Sequence, residues 1–235
     1  MADLALETEL QRPRTRGTGW SEGLAGPLLT AAAGWLDGLA FIAVGGLFAS
    51  VMTGNIVLVG LHLASFEAEG SLGHLLVALG SYCGGVSLCT VLLGRRSQVS
   101  SSSPRLILAF FVEVVLLLGY GLIWVLGDGS AISVHTSVGL ASAAMGLQGE
   151  AVRTIPRGLS TTYMTGTLTS VISGLARMQF DHDSMRAVSR LMALCAGAAA
   201  GALVWAGSEF AAVITPSILV ALGSAMLMAG ERRRL

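Results

Sequence analysis

Lysine is absent from this chain. All 14 basic residues are arginine, and 14 acidic residues cancel them exactly to a net charge of zero. No basic face with interleaved aromatics occurs, so nucleic-acid binding is excluded as the expected role. Charge of either sign is scarce, at 12% of residues, about half of the roughly 25% typical of soluble domains. A water-soluble domain is therefore a poor fit. Cysteine is scarce too. Cys83, Cys89 and Cys195 each fall in an apolar run, with no CxxC and no Cys/His cluster, which argues against a disulfide framework and a metal site. There is no GxGxxG after a strand, no P-loop, no HExxH and no GxSxG. The available hydroxyls have no His or Cys partner at motif spacing, so neither an enzyme nor a cofactor is expected. Residues 1–23 lack the apolar core of a signal peptide and are expected to form a disordered cytoplasmic tail.

Long apolar stretches are abundant. The chain is 53% hydrophobic with a mean hydropathy of +0.73. Residues 24–64 hold one charge, Asp37; 75–94 and 210–230 hold none; 106–127 hold only Glu113; 187–208 hold only Arg190. About 20 such residues span a bilayer as a helix. The runs are unbroken rather than alternating, so helices are expected and not a barrel. The lipid bilayer is thus the expected partner.

Arginine placement orients the chain. Arg12, Arg14 and Arg16, then Arg95, Arg96 and Arg105, then Arg232, Arg233 and Arg234 mark three cytoplasmic segments. The turns around Glu67 and Glu69, Asp128 and Glu209 carry no arginine and are expected outside. One net crossing must therefore lie between residues 24 and 67, although that stretch is long enough for two helices. The same holds for 130–177. We expect spans at 24–46, 75–94, 106–127, 131–150, 187–207 and 210–230, with short re-entrant or half-helical pieces at 49–64 and 159–176. Two repeats result, 24–127 and 128–230, each with three net crossings, so that the second is inverted, as in many secondary transporters. The C-terminal tail, 231–235, is expected in the cytoplasm with the N-terminus. The rival arrangement has both short pieces crossing fully, as eight helices in a parallel repeat.

The two short pieces share a motif. Met52-Thr53-Gly54-Asn55 returns as Met164-Thr165-Gly166-Thr167. Asp37 lies 16 positions before Thr53, and Gln148 lies 17 before Thr165. Gly80 to Gly84 and Gly197 to Gly201 are both GxxxG, which permits close helix contact. Gly34-Trp35-Leu36-Asp37, Phe41, Gly45, Gly46, Phe48 and Met52 to Asn55 resemble the opening signature of the YoaK family of small bacterial transmembrane proteins. Gly146-Leu147-Gln148 and Thr161 to Leu168 resemble its second signature. Gly149 and Glu150 depart from that pattern, which sets Glu150 aside. The resemblance implies a bacterial inner-membrane protein and carries no activity with it.

Asp37 is the leading candidate for chemistry. An intramembrane carboxylate costs roughly 2.5–3.5 kcal/mol on insertion scales and usually meets a cavity or a partner. It marks a proton or ion path, or else it caps a half-helix. Glu113, in apolar surroundings, is suited to carrying a proton, or else hydrogen-bonds a neighbouring helix. Thr53, Gly54, Asn55, Gln148, Thr165, Gly166 and Thr167 complete an expected substrate- or ion-binding site where two half-helix ends converge. The alternative is that the hydroxyls bond back to their own helix. Trp35 is a further candidate for the cavity wall. Arg153 and Arg157 read as cytoplasmic anchors or as an anion vestibule. The four histidines are expected at loop edges. The functional expectation is a small-solute transporter or facilitator, with a non-transporting scaffold or partner subunit, open to homo-oligomer formation, as the alternative.

Overall fold

The computed structural model describes residues 20–65, 71–94, 99–127, 129–155, 164–179 and 182–232. Most of the N-terminal tail, together with Glu67, Glu69, Arg95, Arg96, Asp128, Arg157 and Arg233 to Leu235, lies outside them. The described residues form α-helices: α1 (Trp20–Val44), α2 (Met52–Leu63), α3 (Leu72–Leu93), α4 (Pro104–Leu126), α5 (Ala131–Arg153), α6 (Met164–Ala176), α7 (His182–Gly207) and α8 (Glu209–Arg232).

Five of these, α1, α3, α4, α7 and α8, are long and apolar enough to cross a bilayer. Large apolar side chains cover their outer faces, among them Val91, Phe111, Leu126 and Leu203. Such a surface is suited to lipid and poorly suited to water. α5 is as long but more polar, although a span was expected at 131–150. Its position explains the difference. Twelve of its residues are buried, including Ser137, Ser142, Gln148 and Glu150, so its polar groups meet protein instead of lipid.

Glycine sets the closest contacts. A Cβ on Gly34 would sit 2.1 Å from the Leu194 carbonyl oxygen, and one on Gly197 would sit 2.2 Å from that of Ala31. Gly38 faces Ala198, and Gly201 faces the Trp35 ring. Position rises with position, so α1 and α7 run parallel. α3 and α5 repeat the arrangement, with Gly85 on Ala143 and Gly146 on Tyr82. α8 runs antiparallel to α1, with Gly223 beside Leu29 and the Trp35 indole donating to the Ala212 carbonyl at 2.8 Å. α5 also packs along α4, and α4 along α8. The GxxxG expectation needs correction on α3. Gly80 and Gly84 meet nothing within 4 Å, and Gly85 makes the contact with α5. One residue rotates the helix face by about 100°, at 3.6 residues per turn.

The two short helices have 12 and 13 residues, about 18–20 Å at 1.5 Å per residue. That is well short of a hydrocarbon core of about 30 Å. α2 packs on α3, and α6 on α7.

Candidate functional site

The Met-Thr-Gly motifs open the short helices: α2 begins at Met52 and α6 at Met164. Before α2 the chain doubles back. Gly45 and Gly46 adopt φ of 94° and 85°, values that side chains resist, and the Gly46 amide closes the end of α1 on the Phe41 carbonyl at 2.8 Å. The loop then descends until Ser50 meets Asp37, seven residues before α1 ends.

Asp37 is buried and fully engaged. One carboxylate oxygen accepts the Ser50 backbone N–H at 2.7 Å, and the other accepts the Ser50 hydroxyl at 2.6 Å. The first of these ties down an amide beside the start of α2, where the helix dipole favours a negative charge. Asn55 clamps the same loop. Its amide nitrogen donates to the Phe48 carbonyl at 2.7 Å and its oxygen accepts the Phe48 N–H at 2.9 Å. Both of its polar ends are thereby used on backbone groups that would otherwise be buried unpaired. Gly54 lies against the Phe48 ring, where a Cβ would come within 3.1 Å. Asp37, Gly54 and Asn55 are therefore brought together around residues 48–51. Thr53 is exposed on the outer face of α2.

The second motif is arranged differently. Gln148, fully buried, donates to the Leu29 carbonyl of α1 at 3.1 Å, while its side-chain oxygen has no partner among the described residues. Thr165 is exposed, and Gly166 and Thr167 are partly covered. The carbonyls of Thr165 and Gly166 accept the hydroxyls of Thr169 and Ser170. α2 and α6 make no contact with each other. The convergence of two half-helix ends on one point is not observed, because each short helix is held against its own following helix.

Glu113 is fully buried on α4, and neither of its oxygens has a hydrogen-bond partner among the described residues. The backbones of α1 and α4 do not pack closely against each other, and neither Glu113 nor Asp37 lines the recess described below. Cys89 of α3 lies within electrostatic reach of both Glu113 and Glu150. Glu150 forms a two-pronged ion pair with Arg153, both bonds at 2.8 Å. Arg153 is thus engaged at the end of α5 and does not stand as a free vestibule cation. Trp35 serves packing between α7 and α8 and does not line the recess described next.

A small, mainly apolar recess lies between α1, the 47–49 turn, α4 and α5. Leu36, Ala40, Leu47, Tyr120, Trp124 and Ser142 are among its walls. The Ser142 hydroxyl is buried there without a partner among the described residues. Sequence reasoning did not identify Ser142, because a lone serine on an Ala/Ser-rich helix carries no signal until its neighbours are known. His74 and His135 lie near the starts of α3 and α5, next to the preceding loops. Their rings meet at a tilt, with centroids 4.3 Å apart, joining the two helices.

Over residues 25–226 the chain matches the family described as "Protein of unknown function (DUF1275)". It is 28% identical over 184 residues to the UPF0700 transmembrane protein YoaK of Bacillus subtilis (strain 168), which covers 73% of this chain and 78% of that protein. No solved structure matches it.

Proposed function

Since the chain belongs to the DUF1275 family and is a multi-pass membrane protein of that family of unknown function, we propose from its geometry that it is a small-solute transporter or facilitator built from two inverted repeats. The observation that carries this reading is the reciprocity of its helix contacts. Exchanging α1–α4 with α5–α8 turns the α1–α7 pair into α5–α3, α1–α8 into α5–α4, α2–α3 into α6–α7 and α3–α4 into α7–α8. The α4–α8 and α1–α5 pairs map onto themselves. Glycine-to-backbone contacts support the same exchange, Gly34 and Gly197 answering to Gly146 and Gly85. Direction reverses between the halves, since α1 and α5 run antiparallel, Gln148 reaching Leu29 while Val138 and Ala141 neighbour Leu39 and Ala43. Each half holds one short helix that opens on Met-Thr-Gly, and broken helices in corresponding positions are a pointer to a transport site.

In this arrangement α2 and α6 are re-entrant, six helices cross, and both termini lie in the cytoplasm of a bacterial cell with the chain in its inner membrane. The recess at the α1–α5 interface is one access point to a central polar layer holding Ser142, Gln148 and Glu113. The competing reading is a non-transporting scaffold or partner subunit. It draws on Asp37 and Asn55, whose polar atoms are spent on the protein's own loop.

Tracer uptake into proteoliposomes across a panel of small cations, anions and neutral solutes separates the two. The transporter reading predicts saturable equilibration of one solute class above protein-free vesicles. Uptake at the protein-free level for every solute, from folded and monodisperse protein, contradicts it.

A further inference from the structure

Three carboxylates are buried among the described residues, and their surroundings differ in kind; both oxygens of Glu150 are taken by Arg153. Both oxygens of Asp37 are taken by Ser50. Both oxygens of Glu113 are buried without a hydrogen-bond partner among the described residues, nine residues into α4. We infer that Glu113 is the proton-carrying group of this protein, loaded from one side of the membrane and discharged to the other. The inference rests on the transporter reading and assigns its coupling ion.

A proton asks less of the surroundings of Glu113 than a metal cation does. A bound cation needs several converging oxygen ligands, and no group of three or more His, Cys, Asp or Glu side chains that could hold a metal occurs among the described residues. A proton needs a single carboxyl oxygen. Loading forms an Oε–H bond as a hydronium ion gives up its proton and becomes water. Discharge breaks that bond and returns the proton to water. No other reactant is required.

The helices packed against α4, and α4 itself, carry further polar groups. On α3, Cys89 lies within electrostatic reach of Glu113. α5 carries Glu150, whose partner Arg153 is 73% exposed in its side chain at the end of that helix. This gives one route to water. α8 bears no ionisable residue between Glu209 and Glu231 and contributes Ser217 and Ser224, both buried. Tyr120 lies two turns along α4 and lines the recess with Ser142. Ser137, Ser142 and the Gln148 oxygen, all on α5, are likewise buried and unpartnered among the described residues. Four polar side chains with open hydrogen-bonding capacity on two adjacent helices are far more than packing requires, since buried polar groups are nearly always paired. They suit a path along which water and a proton enter and leave.

Infrared difference spectroscopy of the purified protein during a pH jump reads the carboxyl group without any knowledge of the solute. The expected result is a protonated-carboxyl band in wild type that is retained in Asp37→Asn, lost in Glu113→Gln, and shifted but present in Glu113→Asp. No such band in folded wild type, or a band that persists in Glu113→Gln, overturns the inference. A second readout uses whichever solute the uptake panel identifies. Accumulation driven by a pH gradient should vanish in Glu113→Gln while solute exchange continues. PH-indifferent uptake that matches in wild type and Glu113→Gln overturns the assignment and leaves the transporter reading standing. A Glu113 band without flux of any solute supports the protonation site and overturns transport.

Discussion

Asn55 shows how one side chain can hold a membrane loop in place. Its amide replaces the partners that the Phe48 N–H and C=O would otherwise lack. Each buried group left unpaired costs about 1–3 kcal/mol. Asn55→Ala should therefore lower the melting temperature in detergent clearly, and Asn55→Leu more so, while Thr53→Ala, on an exposed position, should leave it nearly unchanged. Asp37→Ala is expected to destabilise in the same way, and Asp37→Asn less, because its amide oxygen still accepts the Ser50 N–H. Equal melting of the Asn55 and Thr53 variants would remove the clamp from the account. Asp37 and Asn55 both stand out in the sequence, as a lone charge and as part of a repeated motif. Their shared partner loop does not, because nothing local to Phe48 or Ser50 marks which backbone groups will face inward.

Among the helices, the apolar runs and the two short interruptions were legible from composition alone. The segments expected at 49–64 and 159–176 contain α2, Met52–Leu63, and α6, Met164–Ala176. Helix faces were less legible. The GxxxG on α7 packs against α1, whereas the one on α3 faces open surface, and spacing cannot tell these apart because both faces of α3 are rich in small residues. This yields a paired prediction. Gly85→Ala and Gly146→Ala force a Cβ to about 2 Å from a facing carbonyl oxygen, and overpacking of this kind costs about 1–3 kcal/mol. Gly80→Ala and Gly84→Ala should be neutral or gain up to about 1 kcal/mol from helix propensity. Thermal unfolding of the four variants in one detergent checks the contrast, and destabilisation by Gly84→Ala equal to that by Gly146→Ala would contradict it. The polarity of α5 misleads in a related way. Read as a span, it is weak, yet about half of its residues are buried by neighbouring helices.

For the whole molecule, the account joins six crossings, two re-entrant helices and a buried proton site into one transporter. Its topology is testable by two-sided thiol labelling in a background lacking the three native cysteines. Ser102→Cys should label from the cytoplasmic side and Ser65→Cys from the opposite side. The reverse, Ser65→Cys labelled from the cytoplasmic side and Ser102→Cys from the opposite side, is the result that eight full crossings would give, with α2 carried through the membrane. The charge pattern was sufficient to suggest the odd crossing number in each half, since arginine clusters alternate with acidic turns. It was insufficient to reveal which carboxylate is free, because that depends on hydrogen bonds made after folding.

The most direct test of the central claim follows the lumenal pH of dye-loaded proteoliposomes as gradients of a solute panel are imposed. The account predicts that one solute class changes lumenal pH in wild type, that Glu113→Gln abolishes the change, and that Asp37→Asn, once folded, retains it. An unchanging lumenal pH for every solute, with folded wild-type protein in the vesicles, would contradict it.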